Sequence, residues 1–130
     1  MIVVDSSVWI NQLRKVVTPK TAMLRRQLRP SDILVGDLIL MEVLQGCRTD
    51  SEADGVETIL MQFELVDMVG EELARQAARN YRHLRQRGIT IRSPIDVMIA
   101  TYCMDRNYAL LTEDRDFKPM AQHLGLRLIE

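Results

Sequence analysis

An α/β domain built on a central parallel sheet is what this sequence predicts, and three observations lead there. Short apolar runs (Ile2–Val4, Ile33–Val35, Tyr108–Leu111) recur along the chain, the first of them rich in β-branched residues. Amphipathic stretches of helical period lie between them. The runs are apolar throughout rather than alternating, which is the pattern of strands covered on both faces. Four to five short strands flanked by helices are therefore expected, in one unit spanning residues 1–130 without linker or repeat.

In chain order, Ile2–Val4 is the first strand. Asp5, Ser6 and Ser7 then offer N-caps for a helix carrying Val8, Trp9, Ile10 and Leu13. Pro19 interrupts, and a helical pattern resumes from Thr21 to Leu28 until Pro30. Ile33–Val35 is the second strand, closed by Gly36, and Asp37 is expected to cap a helix running to Gln45, where Gly46 stops it. Residues 51–62 form another helix, weakened by Gly55, and Glu64–Val66 a third strand. The clearest helix is Glu71–Arg87, where Leu73, Ala77, Tyr81 and Leu84 share a face and Gly88 ends it. Ser93-Pro94-Ile95-Asp96 reads as cap, proline at the first helical position and an acid three residues after the cap, opening a helix to Arg106. Tyr108–Leu111, Phe117–Leu124 and Leu126–Ile129 complete the chain as strand, helix and strand.

Composition narrows the functional classes. The chain has 130 residues, 47% hydrophobic and 27% charged, so it folds around a real core. No apolar run approaches the roughly 18 residues that span a bilayer, and the N-terminus lacks the pattern of a signal peptide. Cys47 and Cys103 make neither a CxxC pair nor a disulfide framework, and a cytoplasmic protein with two reduced thiols is expected. A net charge of −1 requires any nucleic-acid binding to use a local patch.

Five carboxylates stand out against this background. Asp5 ends an apolar strand, Glu42 interrupts an apolar helix, Asp96 lies between Ile95 and Val97, and Asp114 and Asp116 follow the run Ala109–Leu111. Unpaired charge beside core-forming segments is costly. Each acid has a local explanation: Asp5 and Asp96 as caps, Asp114 and Asp116 as turn residues, Glu42 facing solvent or pairing with Arg48. All five explanations must hold together for a shared role to fail. On the expected fold, Asp5, Asp114 and Asp116 lie just past the C-terminal ends of strands, where open α/β sheets bind ligands, and Asp96 is in the first turn of a helix starting at that end. Carboxylates without a His or Cys cluster favour Mg²⁺ or Mn²⁺ over zinc. His83 and His123 are far apart in sequence and read as surface residues.

At these residues the chain resembles a known family. Val4-Asp5-Ser6-Ser7-Val8-Trp9-Ile10, Glu42-Val43-Leu44-Gln45-Gly46, Pro94-Ile95-Asp96-Val97-Met98-Ile99-Ala100 and Leu111-Thr112-Glu113-Asp114-Arg115-Asp116-Phe117 are similar, in order, to the blocks of PIN-domain ribonucleases, and more narrowly to VapC toxins of toxin–antitoxin pairs. The resemblance implies a PIN-like fold and Mg²⁺- or Mn²⁺-dependent endoribonuclease activity on transfer, ribosomal or messenger RNA. It also implies a homodimer and inhibition by a VapB-type antitoxin. It assigns Asp5, Glu42, Asp96 and Asp114 as the principal catalytic and metal-binding acids, with Asp116 as a nearby helper and Ser6 and Thr112 as supporting hydroxyls.

The residues themselves offer cations for an RNA backbone: Arg75, Arg79 and Arg82 on one face of the 71–87 helix, and Arg92 and Arg115 near the acids. Trp9 and Tyr102 are expected in the core rather than stacked on bases. Three rival readings come from other classes: an aspartyl-nucleophile phosphatase would want Asp-x-Asp after the first strand, where this chain has Asp5-Ser6-Ser7. A Toprim-like enzyme would use Glu42 with Asp114 and Asp116 but leave Asp5 and Asp96 idle, and a non-catalytic PIN-like RNA-binding module would normally have lost an acid.

Overall fold

A computed structural model describes residues 1–130. Five parallel strands, β1 (Ile2–Val4), β2 (Ile33–Gly36), β3 (Glu64–Val66), β4 (Ala109–Leu111) and β5 (Arg127–Leu128), form one sheet in the order β3-β2-β1-β4-β5. Around it lie seven helices: α1 (Ser6–Leu13), α2 (Pro19–Arg26), α3 (Asp37–Gln45), α4 (Asp50–Leu60), α5 (Glu71–Gln86), α6 (Pro94–Arg106) and α7 (Lys118–Leu124). All four residues of β2 are buried, as are Val3, Val4, Leu110 and Leu111 of the central pair. Successive strand residues point to opposite faces, so helices must cover both sides of the sheet. The helices accordingly gather as α1 to α4 and as α5 to α7. No helix is long and apolar enough to cross a membrane.

Register sets what the C-terminal edge presents. Val4 pairs with Leu111, and the Asp5 amide donates to the Leu111 carbonyl at 2.9 Å, so Asp5 and Thr112 emerge side by side from the central strands. On the other flank, Gly36 leads directly from β2 into α3. A Cβ here would lie 1.9 Å from the sulfur of Met68, which closes over the strand end, so any other residue would force that side chain to move. The Met68 amide also donates to Asp37 Oδ1 at 3.0 Å, fixing the start of the helix that carries Glu42.

Several boundaries differ from expectation, each for a local reason. Pro19 opens α2 instead of interrupting it, because Thr18 and Thr21 form a reciprocal capping box around it, and the helix ends at Arg26 rather than Leu28. Gly36, not Asp37, is the cap of α3, and Asp37 accepts the Leu38 amide from the first helical position. The fourth helix begins at Asp50 behind a Thr49 cap whose hydroxyl accepts the Glu52 amide. Ser93 occupies the cap of α6 without a side-chain capping bond, so Asp96 does not close a capping box there. The strand expected from Tyr108 starts at Ala109, because Asn107 ends α6 in the left-handed conformation. Arg115–Phe117 forms a 3₁₀ turn ahead of α7, and the last strand shortens to Arg127–Leu128.

The expected core residues are inside. Trp9 is 3% exposed and packs on Phe63 with ring centroids 5.1 Å apart, and Tyr102 is 2% exposed against Tyr108. Met68 and Met120 fill the core. Both cysteines are free thiols, and burial pushes the Cys103 thiol up to about 12.

Candidate metal centre

The C-terminal edge of the sheet opens into a cleft of about 440 Å³ lined by Asp5, Ser6, Ser7, Ile10, Glu42, Arg92, Ser93, Asp96, Asp114 and Asp116. All five singled-out acids therefore reach one cavity, from four separate segments. Asp5 leaves β1, Glu42 comes from the second turn of α3, Asp96 from the first turn of α6, and Asp114 and Asp116 from the turn after β4. Asp96, Asp114 and Asp116 each offer a carboxylate oxygen, and these oxygens lie within 4.8 Å of one another. Asp5 and Glu42 border this triplet without belonging to it.

Asp5 is the most tightly held. It caps α1, accepting the Ser7 amide, as expected of an Asp at that position. Its Oδ2 also receives the Ser7 hydroxyl at 2.7 Å and the Thr112 hydroxyl at 2.8 Å. Both hydroxyls converge on the same oxygen, and the residue still lines the cleft. Capping and a site role are thus compatible. Burial pushes the Asp5 carboxyl up, and the hydrogen bonds from Ser7 and Thr112 pull it part of the way back.

Thr112 organises the opposite wall. Its hydroxyl accepts the Asp114 amide at 3.0 Å while donating to Asp5. Asp114 Oδ1 in turn accepts the Asp116 amide at 2.9 Å, which shapes the 3₁₀ turn and fixes the spacing of the last two acids. Ser7 extends the network by accepting the Glu113 amide at 3.0 Å. From the sequence alone, Ser7 reads as a possible cap within the Asp5-Ser6-Ser7 block. Its bridging role joins residues 106 positions apart, which no local pattern in Asp5-Ser6-Ser7 announces.

Glu42 neither points to solvent nor pairs with Arg48. It is half-buried and accepts the Ser6 hydroxyl at 3.2 Å. Burial, and then the neighbouring Asp5, push its carboxyl up, and the Ser6 bond opposes them. Asp96 is 8% exposed and is raised to about 7, first by burial and then by repulsion from Asp5, Asp114, Glu42 and Asp116. The sole cation in the cleft lining is Arg92, whose guanidinium stands 3.1 Å from Asp116 Oδ2. Five carboxylates against one exposed guanidinium leave a charge excess inside a partly dry cavity. Clustered hard oxygens without imidazole or thiolate are the donor set of a divalent cation such as those that bind carboxylates and water.

The other cations are dispersed. Arg75 pairs with Glu71 at 2.8 Å, and Arg79 donates to Gln76 Oε1 at 3.0 Å. Arg82 borders a separate apolar groove beside Pro94, Val97 and Met98, and Arg115 is exposed on the turn between Asp114 and Asp116. None of these four lines the acidic cleft. His83 and His123 are also outside it, with His123 Nδ1 3.3 Å from Arg87.

The same architecture appears in known proteins. VapC ribonuclease Mb1587 of Mycobacterium bovis is 27% identical over 129 residues, an alignment covering 98% of this chain and 96% of that relative. FitAcB from Neisseria gonorrhoeae is structurally similar with a TM-score of 0.80 at 16% identity, over 100% of this chain and 97% of that one. VapBC2 from Rickettsia felis, solved bound to a DNA fragment from its promoter, gives a TM-score of 0.79 at 18% identity, over 99% and 98% of the two chains. The model of the PIN domain matches residues 2–122 and so takes in every element that builds the acidic cleft: this chain belongs to the PIN-domain family.

Proposed function

We propose that this chain is a Mg²⁺- or Mn²⁺-dependent endoribonuclease, the toxin of a toxin–antitoxin pair, restrained by a VapB-type antitoxin. The observation that carries the reading is the convergence of Asp5, Glu42, Asp96, Asp114 and Asp116 on one cleft of a PIN fold. Kinship supports it, since a relative aligned over nearly the whole chain is named a VapC ribonuclease and a solved VapBC2 shares the fold.

Asp96, Asp114 and Asp116 would hold the ion, with Asp5 and Glu42 at its border. A bound divalent cation supplies an activated water and neutralises charge developing on the phosphate and leaving oxygen. The chain's own residues do the rest. Ser7 and Thr112 lock Asp5, so the nucleophile's surroundings are pre-arranged before RNA arrives. Glu42, raised by burial and tethered by Ser6, is suited to take a proton from water in the cleft. Arg92 at the rim is suited to exchange Asp116 for an RNA phosphate, as arginine binds either oxyanion by the same forked geometry. Arg75, Arg79, Arg82 and Arg115 are further candidates for backbone contacts away from the reaction centre.

The test is cleavage of total cellular RNA by purified protein, with the cut sites mapped. Cleavage should require Mg²⁺ or Mn²⁺, stop in excess chelator and disappear in Asp5→Asn while the variant stays folded. Undiminished cleavage in chelator would sink the metal-nuclease reading. Cognate antitoxin should suppress the activity and form a stable complex.

A further inference from the structure

Lys20 stands outside the acidic cleft yet touches its framework. It is the second residue of α2, behind the Thr18 cap and Pro19, and so lies in the first turn, where the helix dipole disfavours a positive charge. It forms no ion pair with any acid that would offset this. Instead its ammonium reaches across 92 positions of sequence and donates to the Thr112 carbonyl at 2.6 Å. No backbone N–H reaches that carbonyl, so Lys20 alone satisfies it.

Thr112 is the residue whose hydroxyl binds both Asp5 and the Asp114 amide. Its two ends are therefore used differently: the side chain aligns the acids, and the carbonyl is anchored from outside by Lys20. The capping box fixes the start of α2 through the Thr18 and Thr21 side chains, with Thr21 fully buried, so the anchor is itself rigidly mounted.

We infer that Lys20 is a positioning residue for the metal centre, clamping the Thr112–Asp116 turn so that Asp114 and Asp116 keep their spacing to Asp96. The inference rests on the metal-dependent reading above. Its test is Mn²⁺ binding by calorimetry on the whole chain, with cleavage followed as a function of Mn²⁺. Lys20→Met should weaken Mn²⁺ binding about tenfold, the lower end of what outer-shell partners contribute. The lost cleavage should return at saturating Mn²⁺, and amides 113–116 should exchange faster than in the wild type. Lys20→Arg, which keeps charged donors, should recover most of the affinity. Arg29→Met, removing an exposed cation paired with Asp32, should change nothing. If Lys20→Met does not fold, Lys20→Gln carries the same comparison. Wild-type affinity in a folded Lys20 variant overturns the inference and leaves the nuclease reading standing. A wild-type protein that binds no Mn²⁺ overturns both.

Discussion

Helix α6 borders two polar clusters that are built on opposite terms. Near its middle, Thr101 donates to the Val97 carbonyl at 2.6 Å and accepts Asn80 Nδ2 at 3.0 Å, and Asn80 Oδ1 accepts Gln76 Nε2 at 3.4 Å. Thr101, Asn80 and Gln76 are all neutral, and each of these bonds joins a donor to an acceptor. At its first turn, Asp96 sits among four other carboxylates, with one exposed guanidinium for all five. The matched cluster joins α5 to α6 and needs nothing from outside. The unmatched one carries an excess of negative charge that protons or a cation would relieve, an arrangement common at functional sites.

The sharpest way to break this contrast is to neutralise one acid. Asp96→Asn should lower RNA cleavage by at least about 100-fold, the upper end of what even outer-shell partners of a metal contribute, while its thermal midpoint holds or rises because repulsion is relieved. A large loss of stability without loss of cleavage would move Asp96 to the structural side of the comparison.

Next in size is a pH effect confined to the acidic cluster. Asp96 is raised from an ordinary 3.8 to about 7, so between those values the folded chain holds a proton that the unfolded chain has released. Stability of the metal-free protein should then fall as pH rises through this window and level off above it. Burial raises Asp5 and Glu42 in the same sense. At about 1.4 kcal/mol per unit, the effect is on the order of 4 kcal/mol between pH 4 and 8. Denaturation in chelator across that range measures it, and added Mg²⁺ should restore stability at the alkaline end. A flat or rising profile without metal would show that the cluster's charge is matched after all.

Asn80→Ala attacks the other member of the comparison. It strips Thr101 and Gln76 of a partner and should destabilise by about 1–3 kcal/mol in urea, with cleavage per folded molecule unchanged. Smallest of all is Arg92→Ala. The guanidinium is 85% exposed, so stability should change by less than about 1 kcal/mol, and only RNA affinity should weaken measurably.

Legibility from sequence followed the same divide. The apolar runs and helical periods announced the parallel sheet and most of its helices, because strand burial and helix amphipathicity are properties of neighbouring residues. Errors collected at caps: Pro19, Asp37 and the supposed box at Ser93, where alternative hydrogen bonds of similar strength compete within one turn. Asp5 was readable both as a cap and as a site residue, and it is both in geometry.

By itself, then, the sequence determined that five carboxylates occupy segments too apolar to leave them idle, and that a parallel sheet would carry three of them to one edge. Only the tertiary structure decided how they meet. Strand order β3-β2-β1-β4-β5 places Asp5 beside Thr112, and helix packing brings in Asp96 and Glu42. The same order lets Ser7 and Lys20 bond to partners 106 and 92 positions away. Contacts at such separations are set by how whole elements dock, and no spacing along the chain encodes them.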